Sequence, residues 1–188
     1  MGPERAASLT YEDLLEMFPE EDLVRRELID GELFVTPSPT YRHQQVVARL
    51  LVLLAAQAKA HGGEALAGPF DIKLSERDVV EPDVLFFREE TRARIEQRFA
   101  PVAPDLVVEV SSPSTRSRDL RQKRDLYEQH GASEYWFVDL ESDRVEVYRL
   151  LEGRFAGPTL VDRGQILESS VLPGFSVRVE EILGPLET

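Results

Sequence analysis

Two short stretches of this sequence place an acidic residue inside an apolar run of the kind that forms a buried β-strand. Residues 81–87 read Glu-Pro-Asp-Val-Leu-Phe-Phe and contain Asp83, and residues 105–110 read Asp-Leu-Val-Val-Glu-Val and contain Glu109. A charged side chain on a buried strand costs several kcal/mol unless it is paired or holds a metal ion. Two such strands in one small domain therefore suggest a divalent cation site.

The order of the predicted elements favours an α/β fold of the α+β kind, in which helices flank a mixed central sheet. A β-hairpin is predicted at residues 26–35, because the pattern alternates around the tight-turn dipeptide Asp30-Gly31. The core segments are a long helix at about residues 40–60, strands at about 64–74, 79–87 and 105–111, a helix at about 116–130 and a strand at 134–139. The last strand–helix–strand unit makes its two strands parallel, whereas the short polar loop between the first two strands makes them antiparallel.

The length and the composition fit one domain in an aqueous compartment. A chain of 188 residues suits a single domain, with a core at about residues 40–139 and a small β extension at about 144–188 that is a candidate dimer interface. We therefore expect a homodimer or a higher homo-oligomer. No run of about 18 uncharged apolar residues occurs, and residues 1–5 do not start a signal peptide. We expect a cytoplasmic protein without a membrane partner.

The charge distribution bears on a nucleic-acid partner in two opposing ways. A net charge of −13 opposes such a partner, because phosphate contacts need Lys and Arg. Between residues 114 and 124, however, basic side chains outnumber the single acid Asp119, and an acidic protein can dock on a polyanion through one basic face. The alternative is an ordinary solvated helix face. The candidate nucleic-acid-binding residues are Arg116, Arg118, Arg121 and Arg124.

A larger set of residues forms a recognisable combination over most of the chain, from about residue 10 to 150. It comprises residues 27–33, His43, residues 81–84, residues 104–114, Asp119, Lys123, Tyr127 and residues 131–139. In this combination the sequence resembles the restriction-endonuclease-like superfamily, whose motif is written PD…(D/E)XK, and within it the Uma-two endonuclease family. The resemblance implies a restriction-endonuclease-like core with elements in the order αβββαβ, preceded by the hairpin and followed by the β extension.

The resemblance also implies roles for individual residues. Asp83 takes the place of the first motif acid and Glu109 that of the second, and both are the expected ligands of Mg²⁺ or Mn²⁺. The motif lysine would stand two residues after the second acid, where this chain has Ser111, so Lys123 on the following helix is offered as a migrated equivalent. The supporting candidates are Glu32, His43 and Asp105.

The function that the resemblance implies is divalent-metal-dependent hydrolysis of phosphodiester bonds in DNA by an endonuclease. Weak sequence specificity is expected, because nothing resembles a separate sequence-reading domain. The displaced lysine and the net charge of −13 favour an alternative, a catalytically inactive module that keeps the fold and binds nucleic acid or another partner. A third interpretation is a metal-dependent hydrolase that acts on RNA or on a smaller phosphodiester.

Overall fold

The computed structural model describes residues 8–19 and 24–185; residues 1–5, which carry the prediction about a signal peptide, lie outside these ranges. The helices are α1 (Tyr11–Met17), α2 (Tyr41–His61), α3 (Glu89–Arg92), α4 (Arg116–Arg118), α5 (Arg124–Gln129) and α6 (Val179–Leu183), and a π-helical turn, Asp119–Lys123, joins α4 to α5. The strands are β1 (Arg25–Ile29), β2 (Glu32–Thr36), β3 (Glu64–Ala67), β4 (Asp71–Lys73), β5 (Val79–Val80), β6 (Val84–Phe87), β7 (Phe99–Ala100), β8 (Leu106–Val110), β9 (Glu134–Asp139), β10 (Arg144–Leu151), β11 (Arg154–Asp162), β12 (Ile166–Glu168) and β13 (Ser176–Arg178). Within the two described ranges, no helix combines the length and apolar character needed to cross a membrane.

The central element is a six-stranded mixed sheet with the order β11-β10-β9-β8-β6-β3. Strands β8 and β9 are parallel and are joined through α4, the π-helical turn and α5, whereas the other neighbours in this sheet are antiparallel. This confirms the predicted mixed sheet and the predicted parallel pair. Strands β10 and β11 continue the same sheet, and β12 and β13 form a separate two-stranded sheet.

A second sheet, with the order β2-β1-β5-β4-β7, arises where the sequence predicted two long continuous strands. Each of those strands is broken by a proline: Pro69 separates β3 from β4, and Pro82 separates β5 from β6. Proline has no backbone N–H and interrupts a ladder of hydrogen bonds. Strand β3 therefore pairs with β6 in the central sheet, whereas β4 pairs with β5 in the second sheet. The antiparallel pairing was predicted correctly, but the continuity was wrong.

The two faces of the central sheet are covered by different elements. The buried face of α2 packs against one side, where Leu50 and Leu54 contact the core formed with Val108 and Trp136. On the other side, residues of α5 and of the second sheet pack together with Val107 and other side chains of the central sheet. Because side chains alternate along a strand, Glu109 shares the face of Val107. Its carboxylate therefore lies between the two sheets.

The hairpin and the long helix follow the local sequence closely. Asp30 and Gly31 both have positive φ, 52° and 75°, as a two-residue turn between right-twisted strands requires. Helix α2 begins after Thr40, whose hydroxyl accepts a hydrogen bond from the His43 N–H, and ends at Gly62 in the left-handed conformation. The predicted helix at 116–130 is instead divided by the π-helical turn.

Candidate active site

Asp83 lies where four parts of the fold meet, namely the segment before β6, strands β1 and β8, and helix α2. It precedes β6 and is almost completely buried. The Arg25 guanidinium of β1 donates to Oδ1 through Nη1 at 2.7 Å, and the Val110 N–H of β8 donates to Oδ2, also at 2.7 Å. His43 Nε2 in α2 lies 3.3 Å from the same Oδ2. Burial by itself would raise the pKa of Asp83, but His43, Arg25 and the Val110 N–H hold it well below its ordinary value.

Glu109 directly precedes Val110, the residue of β8 whose N–H donates to Asp83. Its Oε1 accepts a hydrogen bond from the Tyr127 hydroxyl at 2.9 Å and lies 2.5 Å from Lys123 Nζ. Burial, together with the neighbouring carboxylates of Asp119, Asp83 and Glu27, raises the pKa of Glu109 to about 8 against the opposing effect of Lys123. The two motif acids are therefore neighbours in one buried region but have opposite pKa shifts.

Lys123 reaches this region from the last position of the π-helical turn. The side chain is buried, and Nζ lies 2.6 Å from Glu27 Oε1 and 3.9 Å from Asp119 Oδ1, in addition to its contact with Glu109. Burial alone would lower the pKa of Lys123, but these three carboxylates raise it above its ordinary value, so the amine remains charged. Single π-helical turns occur frequently at functional sites, and this turn carries both Lys123 and Asp119.

Glu27 is the member of the site that sequence reasoning missed. It lies in β1 with no exposed surface, and its Oε1 accepts hydrogen bonds from Lys123 and from the Glu81 N–H at 2.9 Å. Its Oε2 is buried without a hydrogen-bond partner, 3.3 Å from Arg118 Nη2. The signal was available, since Glu27 precedes Leu28 and Ile29 in a predicted strand, as Asp83 precedes the apolar residues of β6.

The supporting candidates divide between the site and the surface. His43 belongs to the site through its contact with Asp83. Glu32 is exposed at the start of β2, paired in the ladder with Ile29. Asp105 accepts a hydrogen bond from the Arg88 N–H at 2.8 Å and lies 3.3 Å from the Arg88 guanidinium, so it stabilises the connection from β6 to α3.

The four candidate arginines do not form one basic face. Arg118 points inward, donates to the Thr36 hydroxyl at 3.0 Å and stacks over Phe34. Arg116 donates to Asp139 at 2.9 Å, and Arg124 donates to its neighbour Asp125 at 2.9 Å. Arg121 is exposed to solvent. Arg116 and Arg118 are two positions apart in α4, roughly 200° around a helix, so they leave different sides of it.

Acids outnumber permanent cations in this buried region. We define the acidic cluster as Glu27, Glu81, Asp83, Glu109 and Asp119, and the cations that face it are Arg25, Arg118 and Lys123. Burial first, and then repulsion by neighbouring acids, raises the pKa of Glu81 to about 7. The cluster therefore favours further positive charge.

The residues of the cluster fit a hard divalent cation in chemistry and in charge. Carboxylate oxygens are the ligands that Mg²⁺ and Mn²⁺ prefer. Oε2 of Glu27, which is ion-paired with Arg118 but accepts no hydrogen bond, is an additional oxygen in the same region. Among the residues that the structure describes, no group of three or more His, Asp or Glu side chains already surrounds a point where a metal could sit. Arg25 and His43 instead occupy the oxygens of Asp83.

An open cleft of about 460 Å³ lies at the carboxyl ends of β8 and β9, and no residue of the acidic cluster lines it. Such ends are the usual ligand-binding edge of a sheet with parallel strands. The start of α2 contributes Thr40 and Arg42, the segment after β8 contributes residues 111–113, and Arg116 lies across from Leu140. Ser111, which lines the cleft, directly follows Val110, whose N–H donates to Asp83.

Comparison with known proteins identifies relatives of the whole arrangement. Residues 10–180 match the family model Uma2, described as "Putative restriction endonuclease". A crystal structure described as a putative nuclease belonging to DUF820, from Anabaena variabilis ATCC 29413, superimposes with a TM-score of 0.76 at 19% sequence identity. The match covers 93% of this chain and 97% of that chain, so both have the same restriction-endonuclease-like fold. No curated protein matches the chain.

Proposed function

The chain belongs to the Uma2 family, and from this premise we propose that it is a divalent-metal-dependent endonuclease that hydrolyses phosphodiester bonds in DNA. The observation that supports the proposal is the buried contact between Lys123 and Glu109. Glu109 directly precedes Val110, whose N–H donates to Asp83. Carboxylates that can hold a divalent cation and a positively charged amine beside them are groups that metal-assisted hydrolysis of a phosphodiester can use.

In this proposal Asp83 and Glu109 hold Mg²⁺ or Mn²⁺. Such an ion, when bound, polarises the scissile phosphate and lowers the pKa of a water molecule. Asp83 suits the role because its pKa is low and its carboxylate is ionised throughout the physiological range. Burial raises the pKa of Glu109, and an added cation favours the ionised form of its carboxyl group.

Lys123 is proposed to stabilise the negative charge that develops on the phosphoryl oxygens. Its ammonium is a compact donor group, and Glu27 and Glu109 fix its position from two directions. Tyr127 fixes the Glu109 carboxylate through its hydroxyl. His43 Nε2 likewise fixes the Asp83 carboxylate. These groups are held before substrate arrives, which is the condition for electrostatic stabilisation of a transition state.

The nucleic acid is proposed to approach along the cleft at the ends of β8 and β9. Arg42 and Arg116 line it, and each is ion-paired on its inner side, with Asp143 and Asp139 respectively. Tyr41, beside Arg42, is 78% exposed and offers an aromatic surface for a base. These groups position a phosphate backbone without reading base edges, which agrees with weak sequence specificity.

We further propose that residues 1–188 act as one domain, in the cytoplasm, and as a homodimer. A two-fold assembly would present one site to each strand of a duplex. Light scattering of the purified protein, alone and with a short duplex, tests the proposed homodimer.

The test of the activity is cleavage of supercoiled plasmid, linear duplex and single-stranded DNA by pure protein, with Mg²⁺, Mn²⁺ or a chelator. Asp83→Asn and Lys123→Met should each lower the rate by at least about a hundredfold. Asp105→Asn is the matched control, because Asp105 lies outside the cluster, and it should cut at the wild-type rate. Cleavage that survives both cluster substitutions, or the chelator, would end the proposal. An RNA arm of the same assay decides between DNA and RNA.

A second candidate, an inactive module that binds nucleic acid or another partner, is favoured by two observations. The net charge is −13, and Arg25 fills Oδ1 of Asp83. This candidate predicts no cleavage and no Mn²⁺ binding at Asp83, so a Mn²⁺ titration of wild type and Asp83→Asn separates the two functions.

A further inference from the structure

The Arg25 guanidinium occupies a carboxylate oxygen of Asp83 that a bound metal ion would need as a ligand. Its Nη1 donates to Asp83 Oδ1 at 2.7 Å, and its Nε lies 3.9 Å from Glu81 Oε2. We propose that Arg25 is the resident counter-ion of the metal site and that a divalent cation binds by displacing its guanidinium from Asp83. This inference rests on the proposed function, because it concerns the same two acids.

Of the three donors at Asp83, Arg25 is the one that can leave. The Val110 N–H belongs to the backbone of β8, which is paired on both sides in the central sheet. His43 is buried in the first turn of α2. The Arg25 side chain is 23% exposed, and it starts at the first residue of β1, so rotation of its long stem carries the charge into solvent without moving a strand.

Arg25 does not form the bidentate ion pair that a guanidinium can make with a single carboxylate. A bidentate pair uses two parallel N–H groups on one carboxylate. Here one nitrogen bonds to Asp83, and another lies 3.9 Å from Glu81. The guanidinium is therefore shared between two acids, and a small ion with two charges gains more from each of them.

The surroundings of Arg25 leave a slot for this group. A Cβ atom added to Gly68 would lie 2.8 Å from Arg25 Nη2 and 2.5 Å from the Pro82 carbonyl oxygen. Glycine at this position therefore lets the β3–β4 turn approach both Pro82 and the guanidinium. The slot keeps Asp83 compensated while no metal is bound, since an unpaired buried carboxylate would strongly destabilise the fold.

The exchange has a consequence for metal affinity, because each bound ion must first replace the guanidinium. Removal of the Arg25 charge should therefore tighten metal binding, although it removes a stabilising ion pair from the metal-free protein. A simple structural role predicts the opposite sign, since a damaged site binds metal less well.

The test is a titration of the full-length protein with Mn²⁺ alone, followed by electron paramagnetic resonance and by calorimetry. Arg25→Gln should bind Mn²⁺ about tenfold more tightly than wild type, the equivalent of one lost charge-assisted hydrogen bond. Arg25→Lys retains a cation and should stay within a few-fold of wild type. Arg77→Gln is the matched control, because Arg77 pairs with Asp30 on the surface, and it should bind as wild type does.

The outcomes separate this inference from the proposed function. Binding to wild type with unchanged or weaker binding to Arg25→Gln overturns the exchange and leaves the metal site in place. Absence of Mn²⁺ binding in both proteins overturns the metal site itself, and the exchange with it. A larger rise of Tm on addition of Mn²⁺ to Arg25→Gln than to Arg77→Gln supports the exchange by a second readout that does not depend on activity.

Discussion

The ammonium of Lys123 lies 2.5 Å from the Glu109 carboxylate, although Lys123 comes from the π-helical turn after β8 and not from β8 itself. The position two residues after Glu109 is Ser111, whose hydroxyl accepts a hydrogen bond from the Leu140 N–H at 2.9 Å. Ser111 thus joins the ends of β8 and β9, while the helix that follows supplies the cation.

Lys123→Met should destabilise the protein in a way that depends on pH. The substitution leaves Glu27 and Glu109 buried without their shared cation, so we expect the free energy of unfolding to fall by about 3 kcal/mol at pH 8. The loss should be smaller at pH 5, where Glu109, whose pKa is raised, takes up a proton. Urea denaturation at the two pH values measures this, with Lys59→Met, at an exposed position of α2, as the control. An equal loss at both values would contradict the prediction.

Tyr127→Phe should separate the positioning of Glu109 from the packing of the ring. It removes the hydrogen bond to Glu109 and should cost about 1 kcal/mol of stability. We expect kcat for DNA cleavage to fall with little change in KM, because the hydroxyl orients a carboxylate and does not touch the substrate. Tyr148→Phe, which removes a comparable bond to Glu146 outside the cluster, should leave kcat unchanged; equal effects of both would argue against this role.

Glu27→Gln and Glu32→Gln should differ sharply although the two glutamates flank one hairpin turn. Glu27 holds Lys123 in the buried cluster, whereas Glu32 is exposed. We expect Glu27→Gln to lower the rate of DNA cleavage by about tenfold or more, because Lys123 loses one of its two positioning carboxylates, and Glu32→Gln to leave it unaltered. Steady-state kinetics on the same duplex, with circular dichroism to check folding, decides the matter. A larger loss of cleavage rate in Glu32→Gln than in Glu27→Gln would refute the positioning role of Glu27.

The metal-free protein should lose thermal stability as the pH rises from about 5 to 8. In the folded state the pKa of Glu109 is about 8 and that of Glu81 about 7, both above the ordinary value of 4.5. A raised folded-state pKa contributes stability that is fully present below the unfolded-state value and is lost as the pH passes the folded-state value. Calorimetric scans should show Tm falling across this window.

Two variants sharpen this pH prediction. Glu109→Gln should flatten the decrease in Tm, because the amide does not titrate, whereas Glu128→Gln should keep the decrease, since the pKa of Glu128 is lowered by hydrogen bonding outside the cluster. Asp83, whose pKa is depressed, acts in the other direction and loses its contribution only on strong acidification. A Tm that is constant or rising between pH 5 and 8 would contradict the raised pKa values of Glu109 and Glu81.

The parts of the site that sequence alone predicted are those that depend on local patterns. Asp83 and Glu109 stand out because each interrupts an apolar run, and both are buried side by side. Glu32 was named mainly because the resemblance includes it, and the pattern of the hairpin does not reveal that Glu27 is the acid that faces Lys123. The basic segment that contains Arg118 was predicted as a single surface, whereas Arg118, the last residue of α4, turns inward and pairs with Glu27.

The sequence by itself determined the order of helices and strands, the tight turn at Asp30-Gly31 and the burial of two acids, because periodicity, backbone conformation and apolar content are properties of neighbouring residues. Only the tertiary structure decided which cation compensates which acid. Arg25 meets Asp83 across 58 positions of the chain, and Glu27 meets Lys123 between two sheets. Such pairs form because burial makes an uncompensated charge costly, and the partner is whichever group the packing of distant elements brings within reach.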